Sequence, residues 1–390
     1  MHNMTYKLKT PFYFYNIGLL NETLENVCSN SVKYQYNIHY ALKANANSKL
    51  LKAICTRNIG ADCVSGNEIL LAIKHGFKPE KIVFAGVGKT DEEIRIALEN
   101  DIYCFNCESL EELQVINDIA EEYKKKTNVA IRVTPGVDGN THEYITTGLN
   151  ENKFGFKIWE IDLVIEQIEK LENLNFIGLH FHIGSQITDL SVFKDLCTKV
   201  NEIVTTLNKK CKSISYLNLG GGLGIDYENP EEYPIPDFES YFKIFNENLK
   251  VDKSIKIHFE LGRSIVGQIG ELITRVLYTK PGINKTFAIV DAGMTELMRP
   301  ALYKAVHKIE NLSSDNVSTK NYEVAGPICE SSDSFAKKIE LPETKRGDFL
   351  SIKSTGAYGE VMASTYNQRS KVKAYYSNNL NISSLIEALS

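Results

Sequence analysis

The sequence predicts an α/β-plus-β chain: a (β/α)₈ barrel of the TIM type followed by a smaller, mainly β domain. Three observations lead there. From residue 36 to 260, short β-branched or apolar runs alternate with longer amphipathic ones, the pattern of strands and crossover helices. Eight such runs occur in a span close to the ~250 residues that a barrel of this type needs. The first of them is followed by "YALKANAN", without the Gly-rich fingerprint that a doubly wound open sheet carries in its first turn.

The strand readings, in order, are 36–42, 61–64 "ADCV", 81–84 "KIVF", 102–105 "IYCF", 128–133 "NVAIRV", 175–180 "NFIGLH", 215–219 "SYLNL" and 256–259 "KIHF". Helical patterns fill most gaps, among them "GNEILLAIKHGF", "TDEEIRIALEND", "SLEELQVINDIAEEYKKK" and "WEIDLVIEQIEKL". After residue 265 the texture changes to strand-like segments joined by turns, such as "IGELITRVLYTK", "TFAIVDAG", "NYEVAGPIC" and "RSKVKAYYS". The expected division is a barrel over 17–265 and a β domain of Greek-key or sandwich type over 266–390. The early segment "TYKLKTPFYFY" adds 1–16 to the β domain as a strand. The last residues, rich in Ser and Asn, are expected to fray.

At 390 residues, with 43% hydrophobic and 24% charged side chains, the chain has room for two or three domains and the balance of a soluble protein. A net charge of -5 and the lack of a polybasic run argue against nucleic acid as a partner. No apolar run approaches the ~20 residues that span a bilayer, and the start lacks the pattern of a signal peptide. The expectation is a cytoplasmic protein without membrane contact. Of eight cysteines, only Cys104 and Cys107 form a CxxC. Without a second pair they read as buried free thiols, not as a metal site.

Chemistry-bearing residues collect just after the strands, the face that carries the active site in such barrels. Lys43 follows strand one, Ser65 strand two and Glu108 strand four; "HFHIGSQ", "GGGLG" and "ELGR" follow strands six, seven and eight. The glycine run fits either a phosphate cradle or a tight strand-to-helix turn. His180 and His182 share a strand face, but no third metal ligand stands at a suitable spacing, so His182 suits stacking on a planar cofactor better. Spacing alone reaches only a phosphate and a lysine.

These motifs, with "THEYITTGLNENKFGF", "VDAGMTELMRPALY", "GPICESSD" and "GAYGEVMASTYNQR", resemble the pyridoxal-phosphate decarboxylases of the alanine-racemase-like barrel fold, most closely their diaminopimelate decarboxylase branch. The resemblance runs over nearly the whole chain. It implies pyridoxal 5'-phosphate as cofactor, carried on Lys43. His182 would stack on the ring. Ser185, Gly220, Gly221, Gly222, the backbone at Gly262 and Arg263, and the Tyr358 hydroxyl would receive the phosphate.

Glu260 would pair with the pyridine nitrogen and keep it protonated, where the related racemases place an arginine. That choice favours decarboxylation, because a protonated ring accepts electrons readily.

The resemblance also implies a homodimer with shared sites, in which Cys329 of the partner subunit returns a proton and Glu330 of the partner subunit holds the distal ammonium of the substrate. Arg263, Arg299 and Tyr303, with Tyr358 nearby, would meet the distal carboxylate of meso-2,6-diaminopimelate, and the product would be L-lysine, the last step of lysine biosynthesis. Alternatives within the fold act on D-lysine, D-ornithine, L-arginine or carboxynorspermidine; a non-catalytic relative, either a cofactor carrier or a regulator that mimics a decarboxylase, is a further one. One departure is Leu261, where the family usually has proline; a small change in loop rigidity is expected from it. The resemblance extends through the loop 140–155.

Overall fold

The computed structural model describes residues 9–137, 153–210, 214–314 and 318–377. They divide into two compact units, one drawn from Leu24–Gly224 and Pro236–Ile265, the other from Met1–Thr23, Ile225–Ile235 and Val266–Ser390. Two stretches therefore group differently from the sequence reading: 17–23 and the excursion 225–235 go with the second unit.

The first unit is a closed barrel of eight parallel strands: Asn37–Ala41, Gly60–Cys63, Ile82–Phe84, Cys104–Cys107, Thr127–Thr134, Leu174–His180, Tyr216–Asn218 and Lys256–Leu261. Each pairs with its sequence neighbour, the last pairs with the first (Phe259 opposite Ile38), and so no edge is left open. All eight were legible because strands buried on both faces read as near-continuous apolar runs. A ninth short strand, Phe156–Lys157, adds to Thr127–Thr134.

Helices follow the strands and begin on side-chain caps. Ser65 Oγ accepts from Glu68 N–H, Ser109 from Glu112 N–H, and Thr90 forms a capping box with Glu93, each satisfying an orphan donor of the first turn. Ser65, noted for its position after strand two, thus serves its own helix.

The second unit is one mostly antiparallel sheet. Its strands run in the order Ile309–Asn311, Phe349–Ile352, Gly270–Pro281, Thr286–Val290, Thr319–Ala325 and Ser334–Pro342. Phe12–Tyr15 pairs antiparallel with Gly270–Pro281 and parallel with Lys373–Tyr376, so the expected N-terminal strand lies in this sheet. All four of its aromatic side chains are buried.

Among the described residues no helix is long and apolar enough to cross a membrane, and no cluster of three ligating side chains could hold a metal. Cys104 and Cys107 lie inside the fourth barrel strand, where burial raises both thiols far above their ordinary range and disfavours the thiolate that a metal needs. Most of the loop 140–155, and the expected frayed end beyond residue 377, lie outside the described residues.

Candidate active site

Lys43 stands two residues past the first barrel strand, in a short 3₁₀ turn, Leu42–Ala44. Its ammonium is partly exposed and lies 3.5 Å from Asp62 Oδ2 at the end of the second strand. Asp62 is buried. Burial, and then the nearby Glu260 carboxylate, push its carboxyl up to about 8.

Glu260 is the opposite case. Burial alone would raise its pKa, but the charge and hydrogen bond of His180, with Lys43 and His182 close by, more than offset that and hold it well below the usual carboxylate range. Three donors from three other strands converge on it. Asn218 Nδ2 donates at 2.7 Å and Asn106 Nδ2 at 3.2 Å to one oxygen; His180 Nε2 donates at 3.0 Å to the other. A buried carboxylate with this many charge-favouring donors stays ionised.

The glycine loop after strand seven is set by close approach. A Cβ on Gly220 would fall 2.3 Å from the Phe181 carbonyl oxygen, and one on Gly221 only 1.9 Å from that of Glu260. Gly220 and Gly222 also have φ of 69° and 103°, a region that only glycine enters freely. Gly262 brings the loop after strand eight against the lysine turn, since a Cβ there would lie 2.9 Å from that of Ala44. His182 is partly buried, and Gly221 N–H donates to its Nδ1 at 3.4 Å. Desolvation, then the nearby Arg132 and Lys43 charges, keep its imidazole neutral. Arg263, buried, donates to Ser185 Oγ at 3.2 Å. Ser185 and Arg263, both assigned to the phosphate side by the resemblance, thus meet directly.

Glu108 accepts from Arg132 Nη1 at 3.0 Å and from Gly155 N–H at 2.9 Å. It ties down the described end of the loop 140–155.

The remaining sequence-derived residues lie in the second unit. Arg299 and Tyr303 begin and end one short helix, the first buried and the second half-buried. Tyr358 adopts φ 57°, a strained conformation for a tyrosine and of the kind that clusters at functional sites. Cys329 and Glu330 are exposed, and Tyr366 Oη donates to Glu330 Oε1 at 3.0 Å. Their turn is pinned by Asp333, whose carboxylate accepts from Met294 N–H and Ile328 N–H, both at 2.6 Å.

Sequence reasoning did not single out Asp62, Asn106 or Asn218, and it weighed His180 only as a metal ligand. Alternation along a barrel strand, which aims every second side chain inward, was the available signal.

The donor set fits pyridoxal phosphate: a primary amine, a neutral imidazole, an ionised buried carboxylate for a protonated ring nitrogen, and a glycine loop beside a serine and an arginine for a phosphate. The comparisons agree. Residues 20–267 match the family described as pyridoxal-dependent decarboxylase, pyridoxal binding domain. The diaminopimelate decarboxylase of Bacteroides thetaiotaomicron is 52% identical over 374 residues, which cover 96% of this chain and 97% of that protein. That of Aquifex aeolicus is 44% identical, over 92% of this chain and 84% of its own. Among solved structures, diaminopimelate decarboxylase from Helicobacter pylori complexed with L-lysine superposes with a TM-score of 0.89 at 41% identity, covering 95% of this chain and 93% of that one. The chain belongs to the diaminopimelate decarboxylase family of pyridoxal-dependent decarboxylases.

Proposed function

We propose that this chain decarboxylates meso-2,6-diaminopimelate to L-lysine and carbon dioxide, with pyridoxal 5'-phosphate as cofactor. The observation that carries the reading is the Glu260 carboxylate, kept ionised by His180, Asn106 and Asn218. Opposite a pyridine nitrogen it would keep that nitrogen protonated. When bound, the cofactor supplies an electron sink for the pair released as the carboxylate leaves.

The other steps belong to the chain's own residues. Lys43 would hold the cofactor through its amine. His182 covers one ring face as a neutral imidazole. Ser185, Gly220, Gly221, Gly222, Gly262, Arg263 and Tyr358 bind the phosphate. Arg299 and Tyr303, with Arg263 and Tyr358, take the distal carboxylate. A fork of N–H donors suits that group.

The protein acts as a cytoplasmic homodimer. The thiol of Cys329 of the partner subunit gives its proton to the carbon that lost carbon dioxide, and Glu330 of the partner subunit holds the distal ammonium. Most of the residues for the cofactor come from the barrel, and most of those for the distal end of the substrate come from the β domain. Exposure of Cys329 and Glu330 on the single chain is in keeping with their use across an interface.

The test is carbon dioxide release by the cofactor-loaded protein from a panel of meso-diaminopimelate, L-ornithine, L-arginine, L- and D-lysine, D-ornithine and carboxynorspermidine. Release from meso-diaminopimelate alone is expected. Release from another member instead would keep the chemistry and overturn the distal pocket, and silence throughout would overturn the activity.

A further inference from the structure

We infer that His307 and Tyr227 position Arg299 and thereby set the affinity for the substrate's distal carboxylate. The inference rests on the proposed role of Arg299, and nothing in the sequence motifs pointed to either partner.

The contacts determine a proton arrangement. His307 Nδ1 lies 2.8 Å from the Lys353 carbonyl oxygen. A carbonyl can only accept, so Nδ1 carries the hydrogen. His307 Nε2 lies 2.8 Å from Arg299 Nη1. A guanidinium can only donate, so Nε2 presents its lone pair. The two contacts together require a neutral imidazole in a single tautomer. That imidazole orients one arm of the fork while leaving the charge of the guanidinium intact.

Tyr227 completes the clamp. Its ring centroid lies 4.7 Å from Arg299 Cζ, and it meets His307 edge-on at 5.1 Å. A planar cation is thus held at its edge by an acceptor and against its face by an aromatic ring.

The frame behind the clamp is tied down. Lys353 N–H donates to the Lys308 carbonyl at 2.9 Å. Its ammonium pairs with Glu271 at 3.2 Å and Glu310 at 3.3 Å. Lys308 in turn pairs at 2.6 Å with Glu231, and Gln268 Nε2 donates at 2.9 Å to the Asp226 carbonyl. Asp226, Tyr227 and Glu231 all belong to 225–235, the stretch that interrupts the barrel sequence and groups with the β unit. Delivering the aromatic wall behind Arg299 gives that excursion a purpose.

The experiment compares His307→Asn and His307→Gln in the cofactor-loaded enzyme. Asparagine keeps a donor for the Lys353 carbonyl but cannot reach Arg299, whereas glutamine places an amide oxygen near the position of Nε2. For His307→Asn we expect KM for meso-diaminopimelate and the calorimetric Kd for L-lysine to rise about tenfold, the scale of one hydrogen bond to a charged group. For that variant kcat should stay within about twofold, since ground and transition states lose the same contact. His307→Gln should recover most of the affinity. Cadaverine, which has no carboxylate, should bind all three proteins equally. Tyr227→Leu, with recovery in Tyr227→Phe, gives a second route should the His307 variants not fold. Equal losses in Asn and Gln variants, a fall in kcat alone, or parallel loss of cadaverine binding would reduce His307 to a structural role. An active wild type with unmoved variants overturns the positioning alone; a wild type silent toward meso-diaminopimelate overturns the proposed function with it.

Discussion

The barrel and the β unit carry their polar side chains in different ways. In the barrel, Glu260, His180, Asn218 and Asn106 project from strands that are themselves the core, and each is at most 7% exposed. Moving any one of them means moving a strand. In the β unit, Arg299 and Tyr303 sit on a helix of five residues, Cys329 and Glu330 on an exposed turn and Tyr358 in a strained loop. Side chains on a rigid scaffold are held to the tolerance that chemistry needs, while loops accept change without disturbing the core. The division teaches where change is tolerated: a substitution at Glu260 or its partners disturbs a core strand, whereas one on the short helix or the exposed turn of the β unit does not.

The sharpest way to break that division is Lys43→Ala. It should abolish turnover, at least ~10³-fold in kcat, together with the visible absorbance of the bound cofactor. Normal turnover would remove Lys43 from its role. Glu260→Gln comes next. It should keep the cofactor but slow carbon dioxide release by about 10²- to 10³-fold, the usual loss of one well-placed electrostatic group; an unchanged kcat would end the ring-nitrogen argument. The smallest effect belongs to the β unit. Arg299→Ala should raise KM for meso-diaminopimelate by roughly 10- to 100-fold, with kcat little changed. If kcat fell instead, substrate choice and chemistry would not be separable by unit.

How much of this was legible follows from the same contrast. All eight barrel strands were readable, and so were Lys43, the glycine loop and Glu260, because each lies at a strand end marked by its own sequence. The Glu260 partners were not. Asn106 is 154 residues away in the chain, and an asparagine inside an apolar run gives no sign of what it faces once the sheet closes. The His307 clamp was hidden for a further reason. Tyr227 lies in sequence between two barrel strands, and only the fold shows that 225–235 groups with the other unit. Arg299 could be read from its motif, but the imidazole eight residues on depends on a turn through Lys304, which takes a left-handed conformation at φ 53°.

The strand Phe12–Tyr15 has a consequence for synthesis. It is made well before its partners, since its antiparallel partner starts at Gly270 and its parallel partner at Lys373. At ~5–20 residues per second, four aromatic side chains destined for burial wait on the order of tens of seconds while the barrel segments emerge. Long loops are slow to close, and an unpaired aromatic strand invites pairing with another nascent chain. Translation thus leaves this strand open to aggregation until its partners emerge, and a chaperone that covered it would protect the chain.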